Sequence, residues 1–176
     1  KAFQDRGGPW LRSIRTFKLN IVGNTKSWEK VAAMPLLGHL RNLDVGGCAL
    51  GRDGLAGLIG SPHFKGLYAI NLGNNRLSRP DALKPLVEGG TLPRLVNLDL
   101  SGNWLNQETV RYLLTWPQTR HLTALNLSGN WIHSGGVALL AESDALASLT
   151  HLGLSHNYLP DQAVQAVVQS SALPSL

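Results

Sequence analysis

One cysteine, Cys48, in 176 residues leaves no partner for an intramolecular disulfide and no thiolate set for a zinc site. Charge is sparse, with Asp, Glu, Lys and Arg making up 15% of the chain against 43% hydrophobic residues. That balance is too apolar for a disordered segment, yet no apolar run reaches the roughly 20 residues that span a bilayer. There is no initial Met, and no charged stretch followed by an apolar run and a cleavage site. The chain therefore reads as an internal piece or a processed product. The motifs G-x-x-x-x-G-K-[ST], G-x-S-x-G, H-E-x-x-H and C-x-x-C are all missing, so neither an enzyme nor a cofactor is expected.

What the chain does have is glycine, 19 residues of it, with nine prolines and no low complexity. Regularly spaced turns follow. The net charge of +5 is uneven: residues 1–94 hold 14 Lys+Arg against 6 Asp+Glu, and residues 95–176 hold 2 against 5. The halves thus carry +8 and −3. A basic end can favour an acidic partner or a nucleic-acid backbone, but composition alone confers no specificity.

Self-comparison organises the rest. Leu95 to Leu105 reads LVNLDLSGNWL, Leu122 to Ile132 reads LTALNLSGNWI, and Leu149 to Leu159 reads LTHLGLSHNYL. Leu67 to Leu77 fits with Ile70 at the fourth place, and Leu40 to Leu50 fits with Val45 at the sixth and Cys48 for Asn at the ninth. Ile14, Phe17 and Leu19 open an earlier copy that loses the pattern at Val22. Starts at 14, 40, 67, 95, 122 and 149 are 26 to 28 residues apart. Within each copy, alternation such as Leu98-Asp99-Leu100 marks a strand. Pairs three apart then mark a helix: Leu55 and Leu58, Leu83 and Leu86, Val110 and Leu113, Val137 and Leu140, Val164 and Val167. Ser134, and Ser78 with Pro80 and Asp81, serve as expected helix-start signals, and Gly135-Gly136 as a tight turn.

The pattern L-x-x-L-x-L-x-x-N-x-L resembles the leucine-rich repeat family over about five-sixths of the chain. The long copies resemble its ribonuclease-inhibitor-like subtype. Leu58 to Leu67, with the recurring Leu-Ser-Gly-Asn, looks like the repeat regions of large bacterial multi-repeat proteins. The resemblance implies an α/β solenoid, a curved horseshoe segment with parallel strands on the concave face and helices on the convex face. It also implies a protein–protein interaction module that binds through the concave face and adjacent rim.

One repeat domain over 1–176 is expected, with a cap over residues 1–13. A seventh start would fall at Leu176, so truncation at a repeat boundary is expected. The single Cys and the lack of Cys-rich caps tilt the address toward an intracellular one. Asn75, Asn103, Asn130 and Asn157 should form a buried ladder that satisfies loop backbone groups, with Cys48 a small buried substitute.

Candidate partner-binding residues fall on two surfaces. Asp99, Asn126, His151 and His156 should face the concave side. Trp104, Trp131 and Tyr158, at one register and 27 apart, should line a rim, either stacking on one another or anchoring a partner. Two histidines lack a third ligand from a neighbouring copy, so no metal is expected. The basic charges are scattered without interleaved aromatics, which argues against nucleic acid. A monomer or weak self-association is expected. The alternatives are a passive scaffold segment of a larger enzyme or regulator, and weak binding of an anionic polymer by the basic half.

Overall fold

The structure is a computed structural model that describes residues 15–20, 23–89 and 92–176. The expected cap at 1–13, the copy start at Ile14 and the residue Val22 lie outside the described residues.

Among the described residues six three-residue strands form one parallel sheet in chain order: β1 (Thr16–Lys18), β2 (Asn42–Asp44), β3 (Ala69–Asn71), β4 (Asn97–Asp99), β5 (Ala124–Asn126) and β6 (His151–Gly153). The register is constant, with Phe17, Leu43, Ile70, Leu98, Leu125 and Leu152 directly opposite one another. Period-two geometry sends this residue inward and its two neighbours to the open face. Helices α1 (Thr25–Ala32), α2 (Gly51–Ile59), α3 (Lys84–Gly89), α4 (Gln107–Leu113), α5 (His133–Ala141) and α6 (Asp161–Val168) return the chain along the other side. Strands sit about 4.8 Å apart whereas packed helices need about 8–10 Å, so the stack bends with its sheet inside the curve.

The strand leucines and the helix pairs meet in one continuous apolar interior. Leu98, Leu100, Val110 and Leu113 are all at most 2% exposed. Each such side chain contributes about 1.5–3 kcal/mol when fully buried, and no copy could cover its own stripe alone.

The ladder is present and its bonds explain the burial. Asn103 Oδ1 accepts from the N–H groups of Asn75 (2.8 Å) and Leu77 (3.3 Å). Its Nδ2 donates to the Leu72 and Leu100 carbonyls. Asn130 repeats this on Asn103 and Leu105. The residue before each ladder position is left-handed: Gly47, Asn74, Gly102, Gly129 and His156 have φ of 73°, 56°, 63°, 67° and 56°. Glycine and asparagine suit that conformation best, which is why Ser-Gly-Asn recurs.

Several local expectations are corrected. Neither Ser134 nor Ser78 caps a helix; side-chain caps come from Asn24 to Ser27 N–H (3.1 Å) and from Asn106 to Thr109 N–H (3.0 Å). Gly135-Gly136 is inside α5 rather than in a turn. A Cβ at Gly135 would meet the flexible end of the Gln107 side chain from α4. The third helix is shortened: a 3-10 turn (Pro80–Leu83) precedes α3, because Pro85 is tolerated only in a first turn. Val164 is 48% exposed, since nothing among the described residues packs beyond α6.

Candidate functional site

The open face of the sheet begins with a repeated turn. Asp44, Asn71, Asp99 and Asn126 stand at one register, and each accepts a bond at Oδ1 from the backbone N–H two residues on. The acceptors reach Gly46 (2.9 Å), Gly73 (2.8 Å), Ser101 (2.8 Å) and Ser128 (3.1 Å). A side-chain oxygen that mimics a backbone turn ends each strand after three residues. Two expected binding residues, Asp99 and Asn126, therefore also close turns. The signal was legible as Asp or Asn at the fifth place of four copies.

Above these turns runs a groove of about 780 Å³ along all six strands, with Asp99, Asn126 and His151 on its floor and Leu176 at one end. Its walls are short. Ala69 and Ala124 alternate with amides, and cross-strand bonds fix several of them. Asn42 Nδ2 donates to Thr16 Oγ1 (3.0 Å), Thr123 Oγ1 to Asn97 Oδ1 (3.3 Å), and Asn126 Nδ2 to Asp99 Oδ2 (3.0 Å). His151 Nδ1 lies 2.8 Å from Thr150 Oγ1.

The two carboxylates of this face differ. Asp44 and Asp99 are separated by Asn71 in the register, as two strand spacings require. Asp44 pairs with Lys18 Nζ at 3.0 Å. Burial pushes the Asp44 carboxyl up, but the Gly46 N–H and the Lys18 ammonium together outweigh that and hold it below its ordinary value. Asp99 has the amide of Asn126 and the N–H of Ser101. Among the described residues no ion pair includes it.

The aromatic residues lie elsewhere. Trp104, Trp131 and Tyr158 are 48%, 53% and 75% exposed, and none lines the groove. Their rings do not stack on one another; among the described residues the ring pair in contact is His133 with Tyr158, centroids 6.1 Å apart. The backbone explains this divergence. Trp104 and Tyr158 are left-handed, with φ of 58° and 56°, whereas Trp131 is held by its N–H bond to Leu105 O (2.8 Å) and by a parallel bridge to Asn106. Equivalent positions in sequence thus aim their side chains differently.

His156 was expected on the concave side with His151. It instead occupies a left-handed turn and joins Tyr158, Val164, Val168 and Leu176 around a separate depression of about 520 Å³. The seven expected binding residues therefore divide between groove and loop edge, and do not converge.

Some of the basic charge is used locally. Arg52 pairs with Asp81 (3.5 Å), Lys84 with Glu88 (3.6 Å), and Arg41 Nη1 donates to Gly66 O (2.8 Å). Among the described residues no three His, Cys, Asp or Glu side chains gather at a metal-binding distance. No helix among them is long and apolar enough to cross a membrane.

Residues 118–141, which run from the 3-10 turn before β5 through α5, match the family described as Leucine Rich repeat. No curated protein matches the chain. Six described strands in one register, a buried asparagine ladder and that match give the molecule the fold of an α/β leucine-rich-repeat solenoid.

Proposed function

We propose that this chain is a protein-recognition module that receives a partner segment in the groove of its concave face and catalyses no reaction itself. Leucine-rich repeats generally mediate protein–protein interaction and are typically non-catalytic. The observation that carries the reading here is the state of the groove walls. Their side chains are short and already tied by turn and cross-strand bonds, so a ligand meets a surface with little rotamer freedom left to lose. Trp104, Trp131 and Tyr158 offer exposed aromatic surface at the loop edge, the residue types enriched at interface anchors.

An anionic polymer is the weaker reading, because Lys18, Arg52 and Lys84 are each already paired with a carboxylate. A scaffold role in a longer protein predicts an inert groove. The two are separated by panning a displayed library of random peptides against the immobilised chain. Ala124→Trp fills the groove from a half-buried strand position and should abolish enrichment while the chain keeps a cooperative unfolding transition. Enrichment that survives the filled groove would sink the concave reading. Trp104→Ala combined with Trp131→Ala should lower affinity more than stability, and the reverse result removes the rim from the interface.

A further inference from the structure

The charge pattern inside the groove says which side chain a partner brings. At one end Lys18 neutralises Asp44 at 3.0 Å, so that pair presents no net charge. Asp99, on β4, has no cation among the described residues, where its carboxylate is bound by the neutral Ser101 N–H and the Asn126 amide. Its neighbours across the sheet are Asn71 and Asn126 beside it, with Ala69 and Ala124 one pleat away. Those two alanines flank Asn97, so the surface next to the carboxylate is built from short side chains. Asn71 Nδ2 and Asn97 Nδ2 have no bonding partner among the described residues, so two donors face outward next to one unneutralised anion.

We propose that the groove takes an extended segment of a partner protein through a Lys or Arg side chain seated on the Asp99 carboxylate. The free amides of Asn71 and Asn97 donate to carbonyl oxygens of the same segment. This rests on the reading of the groove as a recognition surface. A cation on a partly buried carboxylate forms a charge-assisted hydrogen bond, stronger than the neutral bonds the rest of the groove can make. The net charge of +5 originates in residues 1–94, whereas residues 95–176, Asp99 among them, carry −3, so the charge of that half also favours a cation.

The test uses the whole chain and a positional library of seven-residue peptides, with the central residue fixed as Arg, Lys, Gln or Glu and the others randomised. Asp99→Asn is the informative variant. Asn71 and Asn126 close the same turn with an amide oxygen, so this substitution retains the fold while removing the charge. Wild-type protein should retain Arg- or Lys-centred peptides about tenfold better than Gln-centred ones. Asp99→Asn should lose that ratio, and Asp44→Asn should keep it. Peptides retained without a basic preference overturn the Asp99 assignment and leave the groove reading intact. An undiminished preference in Asp99→Asn likewise overturns it. Retention of no peptide at all overturns both readings.

Discussion

The thiol of Cys48 lies 3.3 Å from the carbonyl oxygen of Leu19, and it makes there the bond that the Asn75 amide makes to Val45 O at 2.9 Å. Cys48 is fully buried and stands in the asparagine register, so it is a ladder rung with a weaker donor. Its thiol should resist a thiol-specific reagent in native protein and react only as the chain unfolds in urea. Cys48→Ala should cost about 1–2 kcal/mol in urea unfolding. Fast labelling of folded protein would contradict the placement.

Asn103→Ala should be far more damaging. The change strips the partner from the N–H groups of Asn75 and Leu77 and from the carbonyl of Leu72, all inside the stack. Each buried group left unsatisfied costs about 1–3 kcal/mol, so a loss of roughly 3 kcal/mol or more is expected. Asn42→Ala, on the exposed face, should fall within about 0.5–1 kcal/mol of wild type by the same urea measurement.

Arg76 is exposed and left-handed, with φ of 61°. Glycine at that position removes the Cβ clash, so Arg76→Gly should raise stability by about 0.5–1 kcal/mol and Arg76→Val should lower it. Gly102→Ala is the converse. Its φ is 63° and the new Cβ would meet the Asn74 side chain, so a loss of about 1–2 kcal/mol is expected. Thermal unfolding of the three variants checks the set.

Acid should act through Asp44. Its folded pKa is held below the ordinary value of 3.8, so the carboxylate stabilises the fold above that value and loses the contribution as pH falls through the folded pKa. Asp44→Asn keeps a turn acceptor and loses the titrating group. The wild-type urea midpoint should therefore drop more than that of Asp44→Asn when pH is taken from 5 to about 2. Parallel curves for the two proteins would show that Asp44 contributes nothing to acid sensitivity.

Most of the architecture was legible in the chain. Leu98, Leu125 and Leu152 align because their spacing of 27 residues returns the backbone to one strand register, and Asn103 and Asn130 follow at the same offset. The helix pairs were equally plain, since Val110 with Leu113 and Val137 with Leu140 are buried. The candidate site was less legible. Trp104 and Trp131 look equivalent in sequence, but one is left-handed and the other is tied to Leu105. His156 sits two residues from Tyr158 in a turn whose handedness no alternation of side chains announces.

Sequence alone determined the stacked strand–helix period, the apolar interior and the identity of the ladder, because each depends on residue type at a repeating interval. Tertiary structure alone decided which polar groups are already occupied. Asp44 meets Lys18 from the preceding strand, whereas Asp99 meets the amide of Asn126 from the next. Side chains more than 25 residues apart settle that difference by which rotamers reach across the sheet, and a linear pattern carries no record of rotamers.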